Sequence, residues 1–408
     1  MVVFACQNDS FLKEFSSKVI SCSTAEFKTV VNGKKETLKG YDVILEDTIL
    51  FPEGGGQPCD YGFLGDIPVL NVRRNGSEAV HFVEKPLEPG LAVKQIINWD
   101  RRLDHMQQHS GQHLITAIAD AEFGYGTTSW WLGEEISHLE LDTQEITEEQ
   151  INKLEYLVNE KIRQSVPVDV TVYEENDPFL SETRTRGLPK DHVGSVRIVT
   201  IQGIESNMCC GTHVSNLSQL QAIKLMGAEK GKKGKVNLMF LAGGRVLKRL
   251  SVMLEREQAL TGILNNGPDV HVSLVDKLMK SVKLSNKNLQ NVLRDMAVAE
   301  ANILKSKEPK PNFYTLHRKD GEMDFINAFI KAVNDTNILL FLTIGDEKEV
   351  GYAVLYGNEK LVAEFGPKIT ELMSGKGNGK GNRYQARVAN MSKRSMVISL
   401  IEEALGPT

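Results

Sequence analysis

Two pairs of metal-donor side chains, each separated by an x-x-x spacing, constrain this chain more than any other feature. His109 and His113 form the first pair, and Cys209 and His213 form the second, far downstream. Zinc favours imidazole nitrogen and thiolate sulfur in a tetrahedron of four. Pairs this remote can share an ion only if a whole folded domain gathers them; a local knuckle cannot. The fold must therefore bring the segment carrying one pair against the segment carrying the other.

The first pair sits in a helical pattern. Apolar residues at Leu103, Met106, Leu114, Ala117, Ile118 and Ala121 recur with the period of a helix. Positions i and i+4 share one helix face, roughly 5–6 Å apart at Cβ. His109 and His113 can then reach one ion, with His105 a turn earlier as a neighbour. The second pair brackets a glycine turn, Cys209-Cys210-Gly211-Thr212-His213, where Gly211 can adopt a left-handed or strained backbone. The cysteines Cys6, Cys22, Cys59, Cys209 and Cys210 are too few and too scattered for a disulfide framework. Metal binding is therefore expected at the four donors. Metalloproteases of the H-E-x-x-H type carry a general-base glutamate between their histidines. Here Ser110, Gly111 and Gln112 fill that interval, so a bond more reactive than a peptide is the better candidate.

A second motif, Phe51-Pro52-Glu53-Gly54-Gly55-Gly56-Gln57-Pro58, follows the strand-like Val43 to Leu50. No Lys-Ser or Lys-Thr follows it, which excludes a P-loop, and no G-x-G-x-x-G leads into a helix. Three glycines allow the backbone to approach a ligand or another segment closely.

These three motifs, in this order, resemble the editing half of alanyl-tRNA synthetase and, over most of the chain, the free-standing alanyl-tRNA editing proteins. The threonyl-tRNA synthetase editing domain shares the histidine and cysteine–histidine pairs, but the Pro-Glu-Gly-Gly-Gly-Gln-Pro loop points to the alanine branch. The resemblance implies a trans-acting deacylase that removes serine, with glycine as a further candidate, from alanine tRNA. A small pocket built for alanine rejects an added hydroxyl by only about a hundredfold, whereas a site that hydrogen-bonds the hydroxyl does far better. The resemblance also implies His109, His113, Cys209 and His213 as ligands of one zinc ion. Gln112 stands where many members carry threonine, and Cys210 where many carry glycine; Cys209 is the expected ligand on register. Thr128 and Ser129, in Gly126-Thr127-Thr128-Ser129-Trp130-Trp131, are expected near the serine hydroxyl. His109, His113, Gln112, Thr128 and Ser129 thus form the expected catalytic group.

The fold class expected is α+β and multidomain. Short strands and the turns Asn32-Gly33, Asn75-Gly76 and Pro89-Gly90 suggest an N-terminal β-barrel over 1–100. Residues 101–248 read as the zinc-binding editing domain, with a helix over 147–163 and strands over 168–173 and 196–201. Residues 249–306 read as a long helical or coiled-coil segment. There Leu278, Val282, Leu289, Val292, Met296, Ala299 and Ile303 follow a 4/3 heptad that packs within the chain. Residues 307–408 read as a small C-terminal α/β domain.

Hydrophobic residues at 41% and charged residues at 25% suit a soluble globular protein. The amino terminus lacks a basic, then apolar, leader. No run approaches the roughly 18 apolar residues of a membrane span. A monomer in the cytoplasm is expected, with tRNA as its partner and no membrane. The formal net charge of -5 argues against global attraction to nucleic acid. Local sites are expected instead at Gly55, Gly56 and Gln57, at Lys232, Lys233 and Lys235, and at Lys380 and Arg383 in a glycine-rich basic stretch. A zinc-stapled tRNA-binding scaffold without catalysis is the rival class. A complete synthetase is disfavoured, because little chain precedes the glycine loop to hold an aminoacylation domain.

Overall fold

A computed structural model describes residues 3–31, 33–174, 177, 195–319, 321–346 and 349–406. Asn32, of the expected Asn32-Gly33 turn, lies outside the described residues. The chain divides into two compact units, Met1–Gln258 and Ala259–Thr408. Both mix helices with sheets, as an α+β chain should.

The first unit opens with a short turn of helix, α1 (Ala5–Asn8), and six strands: β1 (Glu14–Val31), β2 (Lys34–Leu45), β3 (Gly62–Leu64), β4 (Ile67–Asn75), β5 (Glu78–Val83) and β6 (Ala92–Ile97). They hydrogen-bond in the order β1-β2-β5-β4-β3-β6, and β6 pairs back onto β1, so the ladder closes on itself. Its core holds Val43, Ile49, Leu50, Phe51, Leu64 and Val72. The glycine motif lies between β2 and β3, its entry buried in this core.

The long helix α2 (Trp99–Phe123) follows. Asn98 caps its start by accepting from the Arg101 amide, and Gly124, left-handed at φ 69°, ends it. Next come β7 (Thr127–Leu132), β8 (Ser137–Leu141), α3 (Glu148–Arg163), β9 (Val168–Tyr173), β10 (Val196–Ile201), β11 (Glu205–Met208), β12 (Ile223–Lys230), β13 (Val236–Ala242) and α4 (Gly244–Leu264). One sheet runs β12-β13-β8-β7 and another β11-β10-β9. Apolar residues of α2, α3 and the first sheet, including Leu114, Ile118, Leu139, Leu154 and Phe240, form a shared core.

The second unit carries α5 (His271–Lys305), β14 (Phe313–Arg318), α6 (Met323–Val333), β15 (Leu339–Ile344), β16 (Gly351–Tyr356), α7 (Glu359–Leu372), β17 (Gly375–Lys380), β18 (Arg383–Val388) and α8 (Arg394–Leu405). Its sheet runs β14-β15-β16-β18-β17, parallel only between β14 and β15. The expected heptad stripe does not pack here. Leu278, Val282, Leu289 and Val292 are each more than half exposed, while Leu293, Ala297, Ala301 and Leu304 are buried against α6. Small alanines permit the close approach that the longer apolar period obscures in the sequence.

Candidate metal centre

Buried polar side chains fix the orientation of α2. Arg102 is fully buried, pairs with Asp60 and donates to the Ser10 carbonyl at 2.8 Å. Asp60 also accepts from the Phe51 amide at 2.8 Å, which ties the helix to the segment that enters the glycine motif beyond the end of β2. Gln108 imitates a strand neighbour: its amide donates to the Ala242 carbonyl at 2.9 Å and accepts from the Ala242 N–H at 3.0 Å. Gln107 donates to the Gln219 carbonyl at 2.8 Å and accepts from the Gly244 N–H at 3.0 Å. With the roll of α2 set, His109, Gln112, His113 and Thr116 line one stripe, as their i, i+3, i+4, i+7 spacing requires.

On this stripe the two remote pairs meet. The donor atoms of His109, His113, Cys209 and His213 all lie within 4.8 Å of one another. Cys209 Sγ stands 3.4 Å from His109 Nε2 and 3.2 Å from His213 Nε2. The imidazole centroids are 4.5 to 5.2 Å apart. Cys209 faces the histidines, whereas Cys210 turns toward the glycine motif, where a Cβ on Gly55 would come within 3.0 Å of its sulfur. His105 is buried but stands outside the group of four.

The glycine motif makes a tight turn. Gly54 and Gln57 exchange both backbone hydrogen bonds, at 3.1 and 3.0 Å, and Gly55 and Gly56 sit between them at φ 59° and 79°. Two successive positive φ values define a type I′ turn, which glycine pairs adopt without strain. The turn sends the Gln57 side chain inward, where it is fully buried. Its Oε1 accepts from the Thr212 N–H at 3.0 Å, and its Nε2 donates to Thr212 Oγ1 at 2.8 Å. Oε1 also meets His109 Nδ1 at 2.9 Å. An amide oxygen only accepts, so His109 carries its proton on Nδ1 and Nε2 presents a lone pair to the cluster. Gln57, grouped by sequence with nucleic-acid contacts, is thus used inside the protein. His213 Nδ1 lies 3.0 Å from Ser110 Oγ, which also accepts from the Val214 N–H at 3.1 Å.

Gly211 is required here by space. A Cβ on it would collide with the His109 ring. Of the two expected reasons for glycine, a left-handed or a strained backbone, the left-handed one is not used, since its φ lies outside that region; the close approach to His109 is what calls for glycine.

Burial sets the charge state of the cluster. It pushes His113 down to about 4, with the Arg197 guanidinium adding to the effect. It holds His109 and His213 well below the ordinary imidazole value, and neighbouring imidazoles press in the same direction. It raises the Cys209 thiol to about 12; Cys210 adds to the rise and Arg197 opposes it. At neutral pH three imidazoles therefore offer lone pairs, and a cation is what would draw the proton from the thiol. That donor set fits zinc, which takes nitrogen and thiolate ligands.

The sequence reading missed Arg197. It sits on β10, almost fully buried, and donates to the Gln7 carbonyl at 2.9 Å and the Cys209 carbonyl at 2.7 Å. Gln7 in turn donates to the Cys210 carbonyl at 2.7 Å. A cation inside the apolar run Val196-Arg197-Ile198-Val199 is the signal that could have found it.

Thr128 and Ser129 lie on β7. The Thr128 hydroxyl donates to Glu140, which also pairs with Lys235 at 3.2 Å. Gln112 Nε2 donates to Thr116 Oγ1 at 3.0 Å, and Thr116 Oγ1 meets Thr127 Oγ1 at 2.9 Å. Gln112 Oε1 is buried and has no partner among the described residues. Lys232 and Lys233 are exposed in the turn between β12 and β13. Lys380 and Arg383 flank the hairpin of β17 and β18 in the second unit.

A profile described as the threonyl and alanyl tRNA synthetase second additional domain matches residues 196–237, which include Cys209 and His213. The chain is 50% identical over 404 residues to alanyl-tRNA editing protein Aarsd1-A of Xenopus laevis, covering 99% of this chain and 98% of that one. It is 51% identical over 402 residues to alanyl-tRNA editing protein Aarsd1 of Danio rerio, covering 98% of each. The Mus musculus protein of that name is 50% identical over 403 residues, again covering 98% of each. With this identity sustained from end to end, the chain belongs to the alanyl-tRNA editing protein family.

Proposed function

We propose that this chain acts in trans to hydrolyse the ester joining a mischarged serine to the terminal adenosine of alanine tRNA, with glycine as a second substrate and one zinc ion per chain. The observation that carries this reading is the convergence of His109, His113, Cys209 and His213 in a chain whose relatives are named alanyl-tRNA editing proteins. When bound, zinc supplies a Lewis acid beside the ester.

The chain's own residues would do the rest. Gln57 and Ser110 hold the two imidazoles at their Nδ1 atoms, so that Nε2 faces inward. Gln112 carries one unsatisfied carbonyl oxygen in a buried place. A serine hydroxyl can donate to it, whereas alanine leaves it unpaired, at a cost of about 1–3 kcal/mol. Thr128 and Ser129 remain candidates for the same hydroxyl, although Thr128 is already engaged by Glu140. For the tRNA we assign Gly55, Gly56, Lys232, Lys233, Lys235, Lys380 and Arg383. The finer division at 100, 248 and 306, with an amino-terminal barrel, a metal-bearing deacylase segment, a helical arm and a terminal α/β domain, belongs to the same proposal, as do a monomeric state and a cytoplasmic site of action. Among the described residues no helix is long and apolar enough to cross a membrane.

Four protein donors can fill a tetrahedral ion, which favours a structural role as the second reading. Purified seryl-, glycyl- and alanyl-tRNA, incubated with the protein before and after chelation, separate the two. Zinc-dependent release of serine, with alanine retained, is expected. Tight tRNA binding without release would establish the scaffold reading.

A further inference from the structure

Residues 4–10 precede the first strand and belong to none of the sequence motifs, yet they meet both ends of the loop that carries Cys209 and His213. One side of this segment is anchored on the six-stranded ladder. Phe4 and Cys6 are buried in its core. The Ala5 N–H donates to Asp47 Oδ1 at 2.9 Å, and the Cys6 N–H to the Thr48 carbonyl at 3.2 Å. Gln7 closes the single turn of α1, its Oε1 accepting from the Phe4 N–H at 2.9 Å.

The other side of the same segment reaches the ligand loop. Gln7 Nε2 donates to the Cys210 carbonyl at 2.7 Å. The Gln7 carbonyl accepts from Arg197 Nε at 2.9 Å, and Arg197 Nη1 donates to the Cys209 carbonyl at 2.7 Å. The Cys209 N–H returns to the Arg197 carbonyl at 3.2 Å. At the far end of the loop, the Ser10 hydroxyl accepts from the His213 N–H at 3.4 Å. The Ser10 carbonyl accepts from Arg102 of α2 at 2.8 Å. Residues 4–10 thus stand between the helix carrying the first ligand pair and the loop carrying the second. Gln7, Ser10 and Arg197 are all buried, so solvent does not take over these bonds.

The two ligand pairs differ in what holds them. His109 and His113 are set by the helix, because positions i and i+4 share a face. Cys209 and His213 lie beyond the end of β11, on backbone with no regular period, so their spacing must be fixed from outside. Arg197 suits that task at a cost. A buried cation is expensive to keep, and its Nη2 is buried with no partner among the described residues. The guanidinium fork, however, spans two carbonyls that a single neutral donor cannot. We propose that residues 4–10 are a clamp on the metal centre, in which Gln7, Ser10 and Arg197 are positioning residues that set the 209–213 loop against α2. They act through the backbone of the loop, not on the ion. The clamp rests on the metal binding proposed above.

The test uses the full chain and cobalt(II), read by its ligand-field and thiolate charge-transfer absorbance, with affinity from competition against a chromophoric chelator. Gln7→Glu keeps the acceptor for the Phe4 N–H and removes the donor to the Cys210 carbonyl. It is expected to weaken cobalt binding about tenfold or more and to alter the absorbance of the bound ion. Arg197→Met should do the same, and Arg197→Lys, which keeps one donor, should recover part of the loss. Coupling between two sites is reciprocal, so metal should slow amide hydrogen exchange across residues 4–10 in the wild type and do so less in Gln7→Glu. A merely structural glutamine would lower the melting temperature and leave cobalt affinity and absorbance as in the wild type, which overturns the clamp. Should the variants fail to fold, exchange in the wild type decides: equal rates at residues 4–10 with and without metal overturn it. Failure of the wild type to take up cobalt would refute the metal centre and the clamp together, whereas wild-type binding matched by every variant refutes the clamp alone.

Discussion

His109 Nδ1 and Gln57 Oε1 lie 2.9 Å apart, and that same oxygen takes the Thr212 amide at 3.0 Å. One amide oxygen thus joins the helix carrying the first ligand pair, the glycine turn, and the segment carrying the second pair. The glycine motif reaches the candidate metal centre through this contact.

Removing that support should loosen the metal. Gln57→Leu is expected to weaken zinc binding about 10–100-fold, as measured by competition with a chromophoric chelator. Gln57→Glu keeps an acceptor for His109 and should lose less. Wild-type affinity in Gln57→Leu would remove the glutamine from the site's architecture.

The Arg102–Asp60 pair is buried on both sides. Losing one partner leaves the other charge without compensation, so Arg102→Met alone should cost about 3–5 kcal/mol in denaturant unfolding. Pairing it with Asp60→Leu should recover part of that loss. If the double variant falls by the sum of the singles, the two side chains act independently.

Acid should destabilise the first unit through His81. Its ring is buried, with Nδ1 donating to the Val43 carbonyl at 3.1 Å, and burial pushes it from 6.5 down to about 4. Between those values the unfolded chain takes up a proton that the folded chain refuses. Stability is therefore complete above pH 6.5 and is lost as pH falls toward about 4, by on the order of 3 kcal/mol. His105, also pushed down to about 4, works in the same direction. Denaturation curves of His81→Gln should show a shallower slope over that interval, and an unchanged slope would assign the acid loss elsewhere.

Lys232 and Lys233 carry no ion pair among the described residues, whereas Lys235 is bound to Glu140. Alanine at the first two should each lower the salt slope of tRNA binding by about one, and alanine at Lys235 by less. Equal slopes in all three variants and the wild type would make this turn a bystander.

Short-range patterns in the sequence are the ones that match the structure. Strands Val168–Tyr173 and Val196–Ile201 stand where expected, and α3 begins at the Thr147 cap, whose partner Gln150 closes a capping box. The histidine stripe of α2 was legible because helical period alone defines it. Arg197 and Gln7 were not, because what gives them meaning is a contact such as Gln7 to Cys210, 203 residues away. The stretch Gly375 to Lys380 reads as a loop by composition, yet its period of two makes it a strand once Tyr384, Ala386 and Val388 occupy the space the glycines leave. The heptad in α5 misled because periodicity reports an apolar face without saying which face is used.

Cys209 and His109 are 100 residues apart. During synthesis α2, with the paired His109 and His113, is made long before the Cys209 thiol exists, so the donors are delivered to the candidate site by halves. All four donors exist only once His213 has been made, while β12 and β13 of one flanking sheet are still to follow, so any ion the site takes would be enclosed late in the making of the first unit.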